Sequence, residues 1–225
     1  MSERVAVVVG AGEVGRATAV LLAAAGFTVA VVDRTGKTLE ELPEGIRREV
    51  GDSTDPAAAK SVIDRIAAEV GPPEVLVNTI GTFRLGEAVA ATPEDLRVMM
   101  DINLGAALWL SQAVEPYMRE RGSGSIVHVS ARPATDPTAG VAAYSLSKAA
   151  LSHLVRILDL ELRPHGIRVN AVAPQLINTA ANRAAFPPEA LAQAVQPEAV
   201  ANVIAFLAGD LAAPVSGAIV PAYGG

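Results

Sequence analysis

The chain has 225 residues, of which 51% are hydrophobic and 19% charged, with no cysteine, three histidines and a formal net charge of -6. That apolar share suffices for a sheet buried on both faces, whereas an acidic balance without a basic cluster argues against a nucleic-acid partner, and the absent cysteines and scattered histidines give no disulfide, thiol or metal-ligand pattern. No apolar stretch reaches membrane-spanning length free of glycine and charge, and no basic, apolar, small-residue leader precedes the first strand-like run, so a cytoplasmic protein without a membrane or metal partner is expected.

In chain order, the β-branched run Val5–Val9 leads through a glycine-rich turn into a helix over Val14–Ala25. A second strand, Thr28–Val32, ends at Asp33, and a third, Arg48–Val50, ends near Asp52. Pro56 opens a helix to Glu69, Glu74–Asn78 reads as a strand, and helices follow over Pro93–Met100 and Asp101–Arg119. Ser125–Ser130 is the next strand, Val141–Leu162 a long helix stopped by Pro164, and Ile167–Ala171 a strand. A mixed segment from Pro174 to Pro197 precedes a helix to about Ala208 and a last strand, Ala218–Val220. This alternation predicts one α/β domain over residues 1–225, a doubly wound, Rossmann-like parallel sheet of about seven strands that binds ligands beyond its carboxyl ends.

Gly10-Ala11-Gly12-Glu13-Val14-Gly15 fits G-x-G-x-x-G between a strand and a helix, a turn that brings amides and a helix N-terminus to a pyrophosphate. Asp33 stands where a carboxylate would accept hydrogen bonds from the ribose hydroxyls of NAD and repel the 2′-phosphate of NADP. Glu13 adds negative charge to the turn, and Arg34 acts in the opposite sense, so NAD(H) is preferred and NADP(H) remains open. Asp33 as a strand-end turn residue and Asp52 as a cap before Pro56 are the structural alternatives. Tyr144 and Lys148, four apart in Tyr-Ser-Leu-Ser-Lys, share a helix face, where an ammonium beside a phenol favours its ionised form and proton exchange.

In this order the motifs resemble the short-chain dehydrogenase/reductase family over nearly the whole chain. Asn78-Thr79-Ile80-Gly81 resembles the family's N-N-A-G, Asn103 stands at its helix asparagine, and Arg168 to Pro174 resembles the segment leading into its nicotinamide-contacting loop. The resemblance implies that Tyr144 donates or accepts the proton, Lys148 binds the nicotinamide ribose and tunes Tyr144, and Asn103 holds a relay water. It further implies that Asp52 and Ser53 flank the adenine, Asn78, Gly81 and Pro174 pass close to the cofactor, and Ile177 and Thr179 meet the carboxamide. Homodimers or homotetramers through two long helices are implied as well.

Three positions depart from the family. The glycine-rich turn is one residue shorter and has Val9 for threonine; Gln175 replaces a glycine after Pro174; and the position of the catalytic serine, thirteen before Tyr144, is Ala131. Losing a hydroxyl that polarises a ketone costs on the order of a few kcal/mol in the transition state. Ser130 is the candidate substitute, although adjacent strand residues point to opposite faces. The shortened turn, the alanine, the lead Ala134–Gly140 and the segment Ile177–Arg183 resemble the dihydropteridine reductase branch, whose quinonoid substrate needs a proton donor but no serine. The expected activity is therefore hydride transfer to a small, electron-poor C=N, quinonoid or C=O substrate. An ordinary ketoreductase using Ser130 and a non-catalytic NADH sensor are the alternatives. Ala131, Arg132, Gln175 and Arg183 are candidate substrate contacts, the arginines for an anionic group. Trp109, inside a long helix, gives no stacking partner for a pterin, and His128, His153 and His165 read as structural or solvated.

Overall fold

The computed structural model describes residues 4–224. Its strands are β1 (Val5–Val9), β2 (Thr28–Asp33), β3 (Arg47–Val50), β4 (Pro73–Asn78), β5 (Gly124–Val129), β6 (Ile167–Pro174) and β7 (Ile219–Ala222). They form one seven-stranded sheet in the order β3-β2-β1-β4-β5-β6-β7, and every pairing is parallel. The order reverses between β1 and β4, which opens a crevice beyond their carboxyl ends. The doubly wound architecture expected from the alternating pattern is therefore present.

Period-two alternation divides the core between two layers. Ala6, Val8, Val29, Val31, Val75 and Val77 pack with Ala19 and Leu22 of helix α1 (Glu13–Ala24) and with residues of the late helix Pro197–Ala208. Val5, Val7, Val9, Ala30, Val32 and Leu76 face the opposite layer. That layer holds α3 (Pro56–Glu69), α5 (Ala106–Arg121) and α6 (Ala142–Leu162). Short helices α2 (Gly36–Leu39), α7 (Ala180–Ala185) and α8 (Pro188–Leu191) lie in connections, and the late helix is α9.

Local chemistry sets the helix starts. Asp55, rather than Asp52, caps α3 by accepting from the Ala58 amide, with Pro56 at the first helical position. Helix α4 (Pro93–Met100) begins with a reciprocal capping box between Thr92 and Asp95. The two helices expected to meet at Met100 instead run on through a π turn, Asp101–Gly105, into α5. Such a bulge adds a residue to one turn and re-aims the side chains there, here including Asn103. Gly122, in the left-handed region at φ 72°, ends α5. Strand β6 runs beyond Ala171 to Pro174 because β7 pairs with it through Ala222, and Pro221 is tolerated on that edge strand.

Candidate active site

The turn after β1 is built by three glycines with different neighbours. Gly10, at φ 101°, donates its amide to Val32 O, and a Cβ on it would lie 2.5 Å from Thr79 Oγ1. A Cβ on Gly15 would stand 1.9 Å from the Gly10 carbonyl oxygen, so α1 packs on the turn only because that side chain is missing. Gly12, at the N-cap of α1, would meet nothing within 4 Å and leaves the helix end bare. Asp33 ties this turn to β2: one carboxylate oxygen accepts from Ala11 N at 2.8 Å and the other from Thr35 N at 3.1 Å. A carboxylate has about four acceptor sites, so lone pairs remain for another donor.

Arg34 is exposed beside this strand end. Hydrogen bonds from the Thr54 hydroxyl and amide hold the Asp52 carboxyl below the usual carboxylate range, and the charge of Arg34 adds to the effect. Asp52 thus closes its own turn. Ser53 is buried, and its hydroxyl has no partner among the described residues. The bare helix end at Gly12, the acceptor at Asp33 and the orphaned hydroxyl of Ser53 fit a dinucleotide along this edge of the sheet.

Beyond β4 the chain closes on α6 and the π turn. Asn103 accepts from Thr82 N at 2.8 Å and donates to Thr82 O at 3.0 Å and to Ser147 Oγ at 2.9 Å. A Cβ on Gly81 would lie 3.2 Å from both Asn103 Oδ1 and Lys148 Nζ, so Gly81, Asn103 and Lys148 converge. Asn78 turns inward: its Oδ1 accepts from Ile80 N, and its amide lies 3.4 Å from His128 Nδ1. It shapes the loop from below, and both ends of its side chain are engaged within the protein.

Lys148 is buried, donates to Val129 O at 2.7 Å, and is pushed down to about 8 by burial. Tyr144 is pushed up to about 12, also by burial, and its hydroxyl has no hydrogen-bond partner among the described residues. The expected lowering of the phenol by its lysine neighbour is therefore absent here, because desolvation dominates and the ammonium is turned toward Val129 O.

Ala131 is buried and begins the tight turn Arg132–Ala134, which packs on α6 through Ser145 Oγ donating to Pro133 O. Ser130 does not join this site. Its hydroxyl is buried 2.7 Å from Ser152 Oγ and 3.3 Å from Lys148 O, one to two helical turns beyond Tyr144. The strand end does not shift, and the opposed directions of neighbouring residues 130 and 131 are kept. The idea that Ser130 substitutes for the missing serine is corrected on that geometry.

The segment after β6 crosses back over the turn. Pro174 is buried at the end of β6, Ile177 bridges to Val195, and Thr179 caps α7 by accepting from Asn182 N. Glu13, which sequence assigned to the cofactor, accepts from Ala180 N at 3.0 Å and from Arg183 at 3.3 Å. Glu13 and Arg183 are thus one ion pair that fastens α7 to the glycine-rich turn. Arg132 donates to Gln175 Oε1 at 3.3 Å, pairs with Asp136 and lies 4.9 Å from the Tyr223 ring centroid. Arg132 and Gln175 are therefore together, although Arg132 already has partners.

Two residues here were missed by sequence reasoning. The Phe83 ring meets Tyr144 edge to face, with centroids 5.0 Å apart and planes at 80°, and Phe186 lies 5.6 Å from Phe83. Phe83 therefore packs on the phenol, and Phe186 extends the aromatic cluster from the far side of Phe83. The usable signal was an aromatic residue two positions after Gly81, in a loop at the carboxyl end of a strand.

Below the site, His128 is fully buried and pushed down to about 3 by burial, with the Lys148 charge adding to the effect. Ser111 Oγ donates to Ala107 O at 2.7 Å, so it accepts from His128 Nε2 at 3.2 Å, and Nδ1 accepts from Asn78. That arrangement suits the neutral ring. Between pH 6.5 and about 3 the unfolded chain binds a proton that the folded chain refuses, so stability is lost as pH falls through this window. From pH 7 to 5 the loss is about 2 kcal/mol for this group. Urea unfolding at both pH values should show a smaller loss for His128→Gln than for the unsubstituted chain, and equal losses would refute the assignment.

A family model described as enoyl-(acyl carrier protein) reductase matches residues 10–225. Galactitol 2-dehydrogenase of Rhizobium johnstonii is 35% identical over 97% of this chain and 92% of its own. The 3-oxoacyl-(acyl-carrier-protein) reductase FabG of Thermotoga maritima is 33% identical over 99% and 97%. A solved structure of NAD+-bound xylitol dehydrogenase superposes with a TM-score of 0.92 at 25% identity, over 99% of this chain and 98% of that one. No described helix is long and apolar enough to cross a membrane. With the reversed strand order, the glycine turn and Tyr144 above Lys148 already in place, these matches make the chain an oxidoreductase of the short-chain dehydrogenase/reductase family.

Proposed function

We propose that this chain is an NAD(H)-preferring reductase acting on a small, electron-poor acceptor, a conjugated C=N or quinonoid group or an activated C=O, with Tyr144 as proton donor. The observation that carries the reading is the Tyr144 hydroxyl, without a hydrogen-bond partner among the described residues, on the helix against which the turn beginning at Ala131 packs, where alanine offers no hydroxyl. A phenol is protonated at neutral pH with or without burial, so Tyr144 is in its donor form there. The reduced nicotinamide, when bound, supplies the hydride.

The Gly10–Gly15 turn would hold the pyrophosphate, with Val14 in the first turn of α1, and Asp33 would accept from the ribose. Asp52 and Ser53 would border the adenine. Lys148 would bind the nicotinamide ribose, and Asn103 would steady the Gly81 loop against it and carry the water relay. Pro174, Ile177 and Thr179 would face the carboxamide. Support for NAD(H) comes from Asp33 and from the NAD+-bound xylitol dehydrogenase likeness. NADP(H) would have to overcome the Asp33 carboxylate with help from Arg34, and from Arg16, which donates to Ala11 O beside it.

Conjugation in the acceptor compensates for the missing serine, because the electrons gained with the hydride spread over the π system and need less local polarisation. A dihydropterin-type C=N satisfies this, and the names of the relatives, which describe alcohols and an oxoacyl group, keep C=O within the reading. Assembly as a homodimer or homotetramer belongs to the same proposal and is supported by exposed Leu146 and Leu160 on α6.

Purified protein offered quinonoid dihydropterin, a quinone and simple ketones should oxidise NADH with conjugated acceptors about two orders of magnitude faster than with ketones, as expected for one missing donor. NADPH should be the poorer reductant. Equal kcat/KM on simple ketones would mean that another group does the work of the serine, and the conjugated-acceptor reading would fall.

A further inference from the structure

Phe83 lies against Tyr144 and Phe186 lies against Phe83, and the two phenylalanines come from segments that are held in different ways. The Phe83 loop is rigid: Thr82 bonds Asn103 through both its amide and its carbonyl, Gly86 N donates to Gly140 O at 2.8 Å, and Ala142 N donates to Gly86 O at 3.2 Å. Phe186 sits at the C-terminal end of α7, where its amide donates to Asn182 O, and α7 itself is fastened through Glu13 to Arg183 and Ala180 N. Phe83 stays 36% exposed although it is apolar and surrounded by loops that could have covered it. The two phenyl planes are tilted by 47° rather than stacked, and the exposed part of Phe83 leaves room for a further ring at ordinary aromatic spacing.

We propose that Phe83 and Phe186 form the specificity-determining pair of this site and select a flat, ring-bearing acceptor, a quinonoid or fused heteroaromatic compound, on the aromatic surface that Phe83 continues from Tyr144. The inference rests on the reductase reading and adds to it the shape of the substrate and the residues that read it. A polyol or open-chain hydroxyketone placed against two phenyl faces and Ala131 would leave hydroxyls without partners and lose their hydration. A flat ring loses little there and gains aromatic contact with the exposed Phe83 ring and its Phe186 neighbour.

The test uses 1,4-naphthoquinone and butane-2,3-dione, a ring and an open-chain acceptor of related chemistry; the chain has no cysteine for the quinone to arylate. Calorimetry in saturating NAD+ gives affinity without turnover, and kcat/KM with NADH gives the catalytic preference. Naphthoquinone binding is expected to weaken roughly tenfold in Phe83→Leu and in Phe186→Leu, which keep apolar bulk but lose the ring, and to be retained in Phe186→Trp. The ratio of ring to open-chain affinity should collapse with it. Failure of naphthoquinone to bind, or leucine variants that keep the ratio, overturns the pair as a selector even if both compounds are reduced. Ring binding that is lost in the leucine variants while neither compound is reduced leaves the pair standing and sinks the reductase reading.

Discussion

Tyr144→Phe is expected to lower kcat on a conjugated acceptor by about a thousandfold, the scale of a lost general acid, while the Kd for NADH stays within about threefold. The substitution removes one oxygen and keeps the ring that packs edge to face on Phe83. Because the hydroxyl has no partner among the described residues, its loss strands no buried donor or acceptor, and the melting temperature should hardly move. A change in kcat with neither binding nor stability altered is the signature of a group needed only in the transition state. Single-turnover reduction under saturating NADH would check it, and a variant at the unsubstituted rate would remove Tyr144 from the proton-donor role.

Gly15→Ala should be nearly as damaging for a different reason. The added methyl would lie 1.9 Å from Gly10 O and 3.0 Å from Gly10 C, and both are backbone atoms that cannot rotate away. Helix α1 must then back off the turn, at a cost of about 3 kcal/mol or more, which for a chain of this size lowers Tm by roughly 6–12 °C. NADH binding should weaken in parallel. Gly12→Ala is the matched control, since a Cβ there meets nothing within 4 Å and Gly12 has an ordinary φ of -68°. It should melt close to the unsubstituted protein yet bind NADH more weakly, because the methyl would occupy the space facing the pyrophosphate. Thermal scans with and without NADH distinguish the two, and a Gly15→Ala protein with unchanged Tm would refute the packing argument.

The fold could be read from the sequence because its signals are local. Short β-branched runs ending in glycine or a carboxylate alternate with helical stretches, and Tyr144 and Lys148 lie one turn apart on a single helix. Asp33 was placed by its distance from the glycine turn, and the structure brings it to Ala11 N. What escaped depends on contacts between distant segments. Phe83 and Phe186 come from two loops, and no periodicity relates one to the other. Glu13 and Arg183 were assigned to separate ligands because nothing local shows that residue 13 faces residue 183. Ser130 could be judged only once its hydroxyl was seen against Ser152, although strand parity already favoured that outcome. The π turn at Asn103 was read as a boundary between helices, since a single added residue leaves the helical pattern on either side unchanged.

The ion pair between Glu13 and Arg183 also limits how this scaffold could be re-engineered. Exchanging residues 175–196 for the corresponding loop of a relative, the obvious way to give the domain a new substrate range, would remove the segment that neutralises an acid in the glycine-rich turn. A donor loop without a cation at position 183 would leave the Glu13 carboxylate without its ion-pair partner in the turn proposed to hold the pyrophosphate, and the chimera is expected to lose cofactor affinity before its new pocket could be assayed. Loop grafts on this chain therefore have to be designed as pairs, with residue 13 chosen together with the incoming segment.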